Sequence, residues 1–190
     1  AAVVKSTNLP VTVKTRLGWD DDTKNIEEVA ERLQDVGIKA LAIHGRTRTQ
    51  MYKGEADWTL IGKVKNNPRI HIPIFGNGDI DSPEKALAYK NRYGIDGIMI
   101  GRGVFHDPFV FSQSSPWGAT SKQDKLELYT KHVKLFAKTW ANAQRKLVTL
   151  NKFCKIYIEG FPGAKELREQ LMSAQSIDEL LQLLQAEAKK

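Results

Sequence analysis

The feature that most restricts this chain is a rhythm. Short apolar runs that end in glycine alternate with segments of helical spacing through the first 111 residues. Val11 to Leu17 stops at Gly18, and Ala40 to His44 stops at Gly45. Ile72 to Phe75 runs into Gly76, Asn77, Gly78 and Asp79, and Gly97 to Ile100 runs into Gly101, Arg102 and Gly103. Between these strands, Asn25 to Val36, Ala56 to Asn66 and Pro83 to Asn91 carry apolar residues at helical intervals, the last with Ser82 as a cap. Parallel strands need long crossover connections, so this alternation predicts an α/β fold of four βα units on a parallel sheet.

Two consecutive strands that end in glycine loops suggest a common cause. Glycine at a strand's carboxyl end lets the backbone approach a ligand, and the next helix begins with unpaired N–H groups that attract an anion. Phosphate fits both loops, and Arg102 can add a charge-assisted contact. The bland account is that the glycines only make tight turns. A (β/α)8 barrel binds phosphate with the loops after its last two strands, and a complete barrel takes ~250 residues. The expected fold is therefore the second half of a TIM barrel, its four βα units being strands five to eight, followed by a helical extension. A self-contained open sheet of four strands is the competing account.

Polar residues interrupt the strand ends. Lys14 stands between Val13 and Thr15, where a buried strand would carry an apolar side chain, and a buried ammonium implies an anionic or polar partner. His44 closes ALAIH and is followed by the polar stretch GRTRTQMYKG, so it reads either as a core histidine bonded to a carbonyl or as a ligand contact. Lys14 and His44 are placed to donate to the electron-rich edge of a flavin ring. The acidic run Asp20 to Asp22 has no further ligands and reads as a solvated loop, so no metal site is expected.

After Phe111 the texture changes. SQSSPWGATSKQ reads as a linker, which divides the chain into a flavin-binding domain over 1–111, a linker over 112–121 and an all-α helical bundle over 122–190. Helical spacing marks Lys122 to Thr139, about Ala141 to Glu159, Ala164 to Ser173 and Ile177 to Ala188. Of the formal +7 charge most falls in this tail, with ten basic and three acidic residues between Lys122 and Lys165. That density suits a polyanion such as nucleic acid, or else a solvated lysine-rich face. Cys154 is the single cysteine, so no internal disulfide can form, in keeping with a reducing compartment. No apolar run approaches the ~20 residues of a membrane span, and the start AAVVKSTNLP lacks signal-peptide character. A soluble cytoplasmic protein is expected.

The stretches VTVKTRLGWD, HGRTRTQMYKGEADW, PIFGNGDI and GIMIGRGVFHDPFVF resemble the second half of the tRNA-dihydrouridine synthases, FMN-dependent barrel enzymes with a C-terminal RNA-binding helical domain. The resemblance implies that Lys14 and His44 contact the flavin ring and that Asn77, Gly78, Asp79, Gly101 and Arg102 form its phosphate end. It implies that Arg16, Arg46, Arg48 and Lys53 face the entering RNA. The implied chemistry is reduction of a uridine C5=C6 bond in tRNA, with FMN as hydride donor, NADPH as reductant and the base flipped from its stack. The family's protonating cysteine lies in the first half of the barrel. Nothing here matches it, and Cys154 reads as a packed helix residue, so this chain alone is expected to be inactive and to carry no catalytic acid. Other FMN barrels acting on small molecules, or an RNA-binding module that self-associates through its open half, are the alternatives.

Overall fold

A computed structural model describes residues 1–140 and 145–190. The chain forms two compact units, the first comprising Ala1–Val104 and Phe109–Ser115, the second Phe105–Pro108 and Pro116–Lys190.

In the first unit, β1 (Thr12–Arg16), β2 (Ala40–His44), β3 (Ile74–Asn77) and β4 (Gly97–Met99) form one sheet in the order of the chain, with every neighbouring pair parallel. The connections carry α2 (Ile26–Asp35), α3 (Trp58–Asn66) and α4 (Pro83–Tyr93), after a single-turn α1 (Ala2–Lys5) at the start. Leu41, Ile43 and Ile74 point toward these helices and are fully buried against Ile26, Ala30, Ile61 and Val64. Each such side chain is worth ~1.5–3 kcal/mol when removed from water. The other face of the sheet carries Thr12, Lys14, Arg16, Ala42, His44, Phe75, Asn77 and Met99, side by side in register.

Local chemistry sets the helix ends. The Asp57 carboxylate accepts from the Thr59 amide at 2.9 Å, and the Ser82 hydroxyl accepts from the Lys85 amide at 3.2 Å with Pro83 in the first turn. Gly94 ends α4 in the left-handed conformation. One strand lies where its pattern does not put it: β3 was expected over Ile72 to Phe75 and occupies Ile74–Asn77. The tip of β2 offers a parallel partner to Gly76 and Asn77, and the strand continues through them despite their low strand propensity.

The second unit is built from helices. α5 (Lys122–Thr139) packs against α6 (Asn151–Tyr157) and α8 (Ile177–Ala188), while α7 (Ala164–Ser173) packs against α6 and α8. Ser121 caps α5 and Ser176 caps α8. The helix expected from about Ala141 begins outside the described residues; its remainder is a 3-10 turn at Leu147–Leu150 followed by α6. Cys154 is fully buried in α6, where burial pushes its thiol up to about 11, which leaves it an inert packing group. No helix among the described residues is long and apolar enough to cross a membrane, and those residues hold no cluster fit to bind a metal.

Candidate functional site

The parallel register brings the last residues of the four strands into one row: Arg16, His44, Asn77 and Met99. One step below lie Lys14, Ala42, Phe75 and Gly97. Asn77 ties two tips together, its Nδ2 donating to the Met99 carbonyl at 2.7 Å, while its own carbonyl accepts from the Gly45 amide at 2.9 Å.

His44 is 7% exposed, yet its ring makes no hydrogen bond among the described residues. Burial, then the charges of Arg16, Lys14 and Arg46, hold its pKa down at about 4, with Asp79 opposing. The imidazole is therefore neutral at physiological pH, with one nitrogen to donate and one to accept. Lys14 departs from expectation. It is exposed, because the sheet face it stands on is not covered by the helices. Partial desolvation and the Arg16 guanidinium still pull its pKa below the ordinary lysine range, and it forms no ion pair among the described residues. A cation and a neutral imidazole on one face, neither with a hydrogen-bond or ion-pair partner among the described residues, fit an electron-rich heteroaromatic edge.

The two glycine tips turn out unlike. A Cβ on Gly76 would lie 2.1 Å from the Trp58 ring, and one on Gly78 would lie 2.6 Å from the Ala56 Cβ, with Gly78 itself at φ 129°. Trp58 donates through Nε1 to the Gly78 carbonyl at 3.0 Å. Packing within the protein is thus sufficient reason for both glycines. Gly101 is different, for nothing lies within 4 Å of a Cβ built on it. It keeps an open approach of the kind a phosphate needs. The two tips abut, since a Cβ on Gly103 would meet the Ile80 carbonyl at 2.4 Å. Arg102 is exposed, with its guanidinium over the Tyr52 ring at 4.4 Å.

Arg46, expected to face RNA, and Asp79, expected at the phosphate end of the flavin, are bound to each other. Arg46 is 3% exposed, and each nitrogen of its guanidinium donates within the protein. Nη1 and Nη2 grip the Asp79 carboxylate at 2.7 and 2.8 Å, Nη2 also donates to the Gly54 carbonyl, and Nε donates to the Lys53 carbonyl at 3.2 Å. Asp79 is correspondingly engaged, since its Oδ2 accepts from the Ala56 amide at 2.8 Å as well. Partial burial raises the Asp79 pKa, but the bonds from Arg46 and Ala56 outweigh it and leave the carboxyl below its usual range. An ionised carboxylate would in any case repel a phosphate.

Of the remaining cations, Arg48 and Lys53 are exposed on the loop after β2. Arg16 is half-buried and donates through Nη1 to the Thr47 and Met51 carbonyls at 2.8 and 3.1 Å. Sequence reasoning passed over Tyr52, which stands 59% exposed beside Arg102. Its only signal was an aromatic residue within a very polar loop.

The dihydrouridine synthase (Dus) family model matches residues 1–190. The chain is 42% identical over 190 residues to a probable tRNA-dihydrouridine synthase 1 of Synechocystis, covering 96% of this chain and 52% of that protein. It is 44% identical over 191 residues to a probable tRNA-dihydrouridine synthase of Staphylococcus aureus strain N315, covering 95% and 55%. A Staphylococcus epidermidis protein of the same name is 44% identical over 188 residues with the same coverage. The chain thus spans about half the length of the curated relatives it matches. With a parallel sheet of four strands joined by three helices and a family match along its whole length, the chain belongs to the dihydrouridine synthases.

Proposed function

We propose that this chain forms the second half of a TIM barrel and its helical extension in a tRNA-dihydrouridine synthase. The proposed activity of the whole protein is FMN-dependent reduction of the uridine C5=C6 bond in tRNA, with NADPH as reductant. The sheet face bearing Lys14, Ala42, His44 and Phe75 corresponds to a barrel interior, and the row of strand tips corresponds to the carboxyl-terminal rim where barrel enzymes hold their ligands. The observation that carries the reading is the placement on that face of Lys14 and His44, whose side chains have no hydrogen-bond or ion-pair partner among the described residues, together with the open backbone at Gly101 on the same rim.

FMN, when bound, supplies the hydride. Lys14 and His44 would hold the polar edge of its ring, where an ammonium and an imidazole N–H favour added negative charge. Gly101 would let the main chain approach the phosphate, and Arg102, already oriented by Tyr52, would donate to it. Arg16, Arg48 and Lys53 line the loop side of the same rim and suit RNA phosphates. The exposed lysines of α5 and α6 in the second unit, Lys131, Lys134, Lys152 and Lys155, suit the same ligand.

The test is direct. The complete protein should purify with FMN, bind tRNA with a strong salt dependence and raise the dihydrouridine content of tRNA in the presence of NADPH. Flavin retention without tRNA binding would favour a small-molecule flavin barrel, and tRNA binding without flavin would favour an RNA-binding module.

A further inference from the structure

The loop after β2, residues 45–57, is held by two arginines, Arg16 from the tip of β1 and Arg46 from the loop's own start. Arg16 at the end of β1 bonds the Thr47 and Met51 carbonyls, while Arg46 bonds the Lys53 and Gly54 carbonyls. Arg46 is in turn seized by Asp79 at the end of β3, and the same carboxylate takes the Ala56 amide. Backbone groups at 53, 54 and 56 are therefore referred to one ion pair, whose guanidinium is buried and whose carboxylate is partly exposed. Inside the loop, the Gln50 side chain accepts from the Thr47 amide at 2.8 Å and Asp57 donates its amide to the Gly45 carbonyl at 2.6 Å. The residues left outward include the cations Arg48 and Lys53, together with Tyr52 and Glu55.

We propose that the Arg46–Asp79 pair is a positioning clamp: it fixes the loop in the shape that presents Arg48 and Lys53 to an RNA strand, and neither member of the pair touches the ligand. The proposal rests on the functional reading above for the identity of the ligand. Its physical basis is preorganisation. A free loop of this length would lose backbone and side-chain freedom on binding, whereas this one has lost it on folding. Only the planar guanidinium fork reaches a carboxylate and two carbonyls at once; an ammonium on a flexible stem does not reproduce that geometry.

The experiment uses the complete protein and an unmodified tRNA transcript. Arg46→Lys keeps the charge and loses the fork. Asp79→Asn keeps the side-chain shape and a residue that tolerates the left-handed backbone, φ 54° at this position, while losing the anion. Both should raise amide hydrogen exchange of residues 47–57 by about tenfold or more while leaving the strand amides protected. Both should weaken tRNA binding by about tenfold with the salt slope unchanged, whereas Arg48→Gln and Lys53→Gln each lower that slope by about one. The double variant Arg46→Lys with Asp79→Asn should bind no more weakly than the weaker single variant.

Unchanged loop exchange in both variants overturns the clamp. So does full RNA affinity in Arg46→Lys with a silent Asp79→Asn, which would make residue 46 a direct phosphate contact. Global unfolding of both variants also overturns it, by assigning the pair to the fold at large. Failure of the unaltered protein to bind tRNA overturns the functional reading instead, and the exchange measurement then decides for or against the clamp by itself.

Discussion

The tips of β3 and β4 are both glycine-rich and sit side by side, yet they differ in what fills the space beside them. At β3 the missing side chains make room for the protein's own groups, the Trp58 ring under Gly76 and Ala56 against Gly78. At Gly101, beside β4, the space is open. Similar sequence at two strand ends therefore answers two different demands. One is the closeness of packed layers, and the other is the approach of something from outside.

Alanine at each glycine is the sharpest way to break that comparison. Gly76→Ala should be the most damaging, with a loss of about 3 kcal/mol in urea denaturation, because the new methyl group would overlap the Trp58 ring and displace its bond to Gly78. Gly78→Ala should cost about 2 kcal/mol, through backbone strain at φ 129° and the Ala56 contact. Adding Ala56→Gly should recover part of that loss, since only the contact is relieved. Gly101→Ala should change stability by less than about 0.5 kcal/mol while weakening FMN retention by about tenfold. Equal losses of stability at all three positions would erase the distinction.

A smaller effect concerns His44 at the tip of β2, on the other side of β3 from Gly101. The unfolded chain takes up its proton near 6.5, whereas the folded imidazole resists protonation down to about 4. The folded state thus has its full stability above pH 6.5 and loses it as the pH falls toward 4. His44→Asn should flatten that part of the stability profile, as read from denaturation midpoints between those limits. A profile identical to that of the unaltered protein would place His44 in a more solvated setting than its burial indicates.

The periodic parts of the molecule were legible in advance. The bounds of β2, α5, α7 and α8 follow from an apolar run stopped by glycine and from helical spacing, opened by a serine cap in α5 and α8 and by the break at Gly160, Pro162 and Gly163 in α7. The placement of Lys14, Arg16 and His44 toward one rim could be anticipated because strand ends and period-two alternation are local properties. Arg46 could not be read this way. Gly45 interrupts the alternation just before it, its neighbours are polar, and the group that buries it is Asp79, supplied by another strand. The two-residue shift of β3 has a similar origin, since the stabilising partners of Gly76 and Asn77 belong to β2. Lys14 shows the converse error. Its strand position predicted burial, and the exposure of that face depends on which side the helices cover.

The matched register of the four strands has a consequence for fidelity. Because neighbours across parallel strands turn the same way, slipping β2 by one residue would thrust His44 into the aliphatic layer and expel Leu41 and Ile43 into water. The oil-like side of the sheet thereby proofreads the reactive side. An error in alignment is penalised where it costs most, so no contact to a ligand is needed to keep the rim in order.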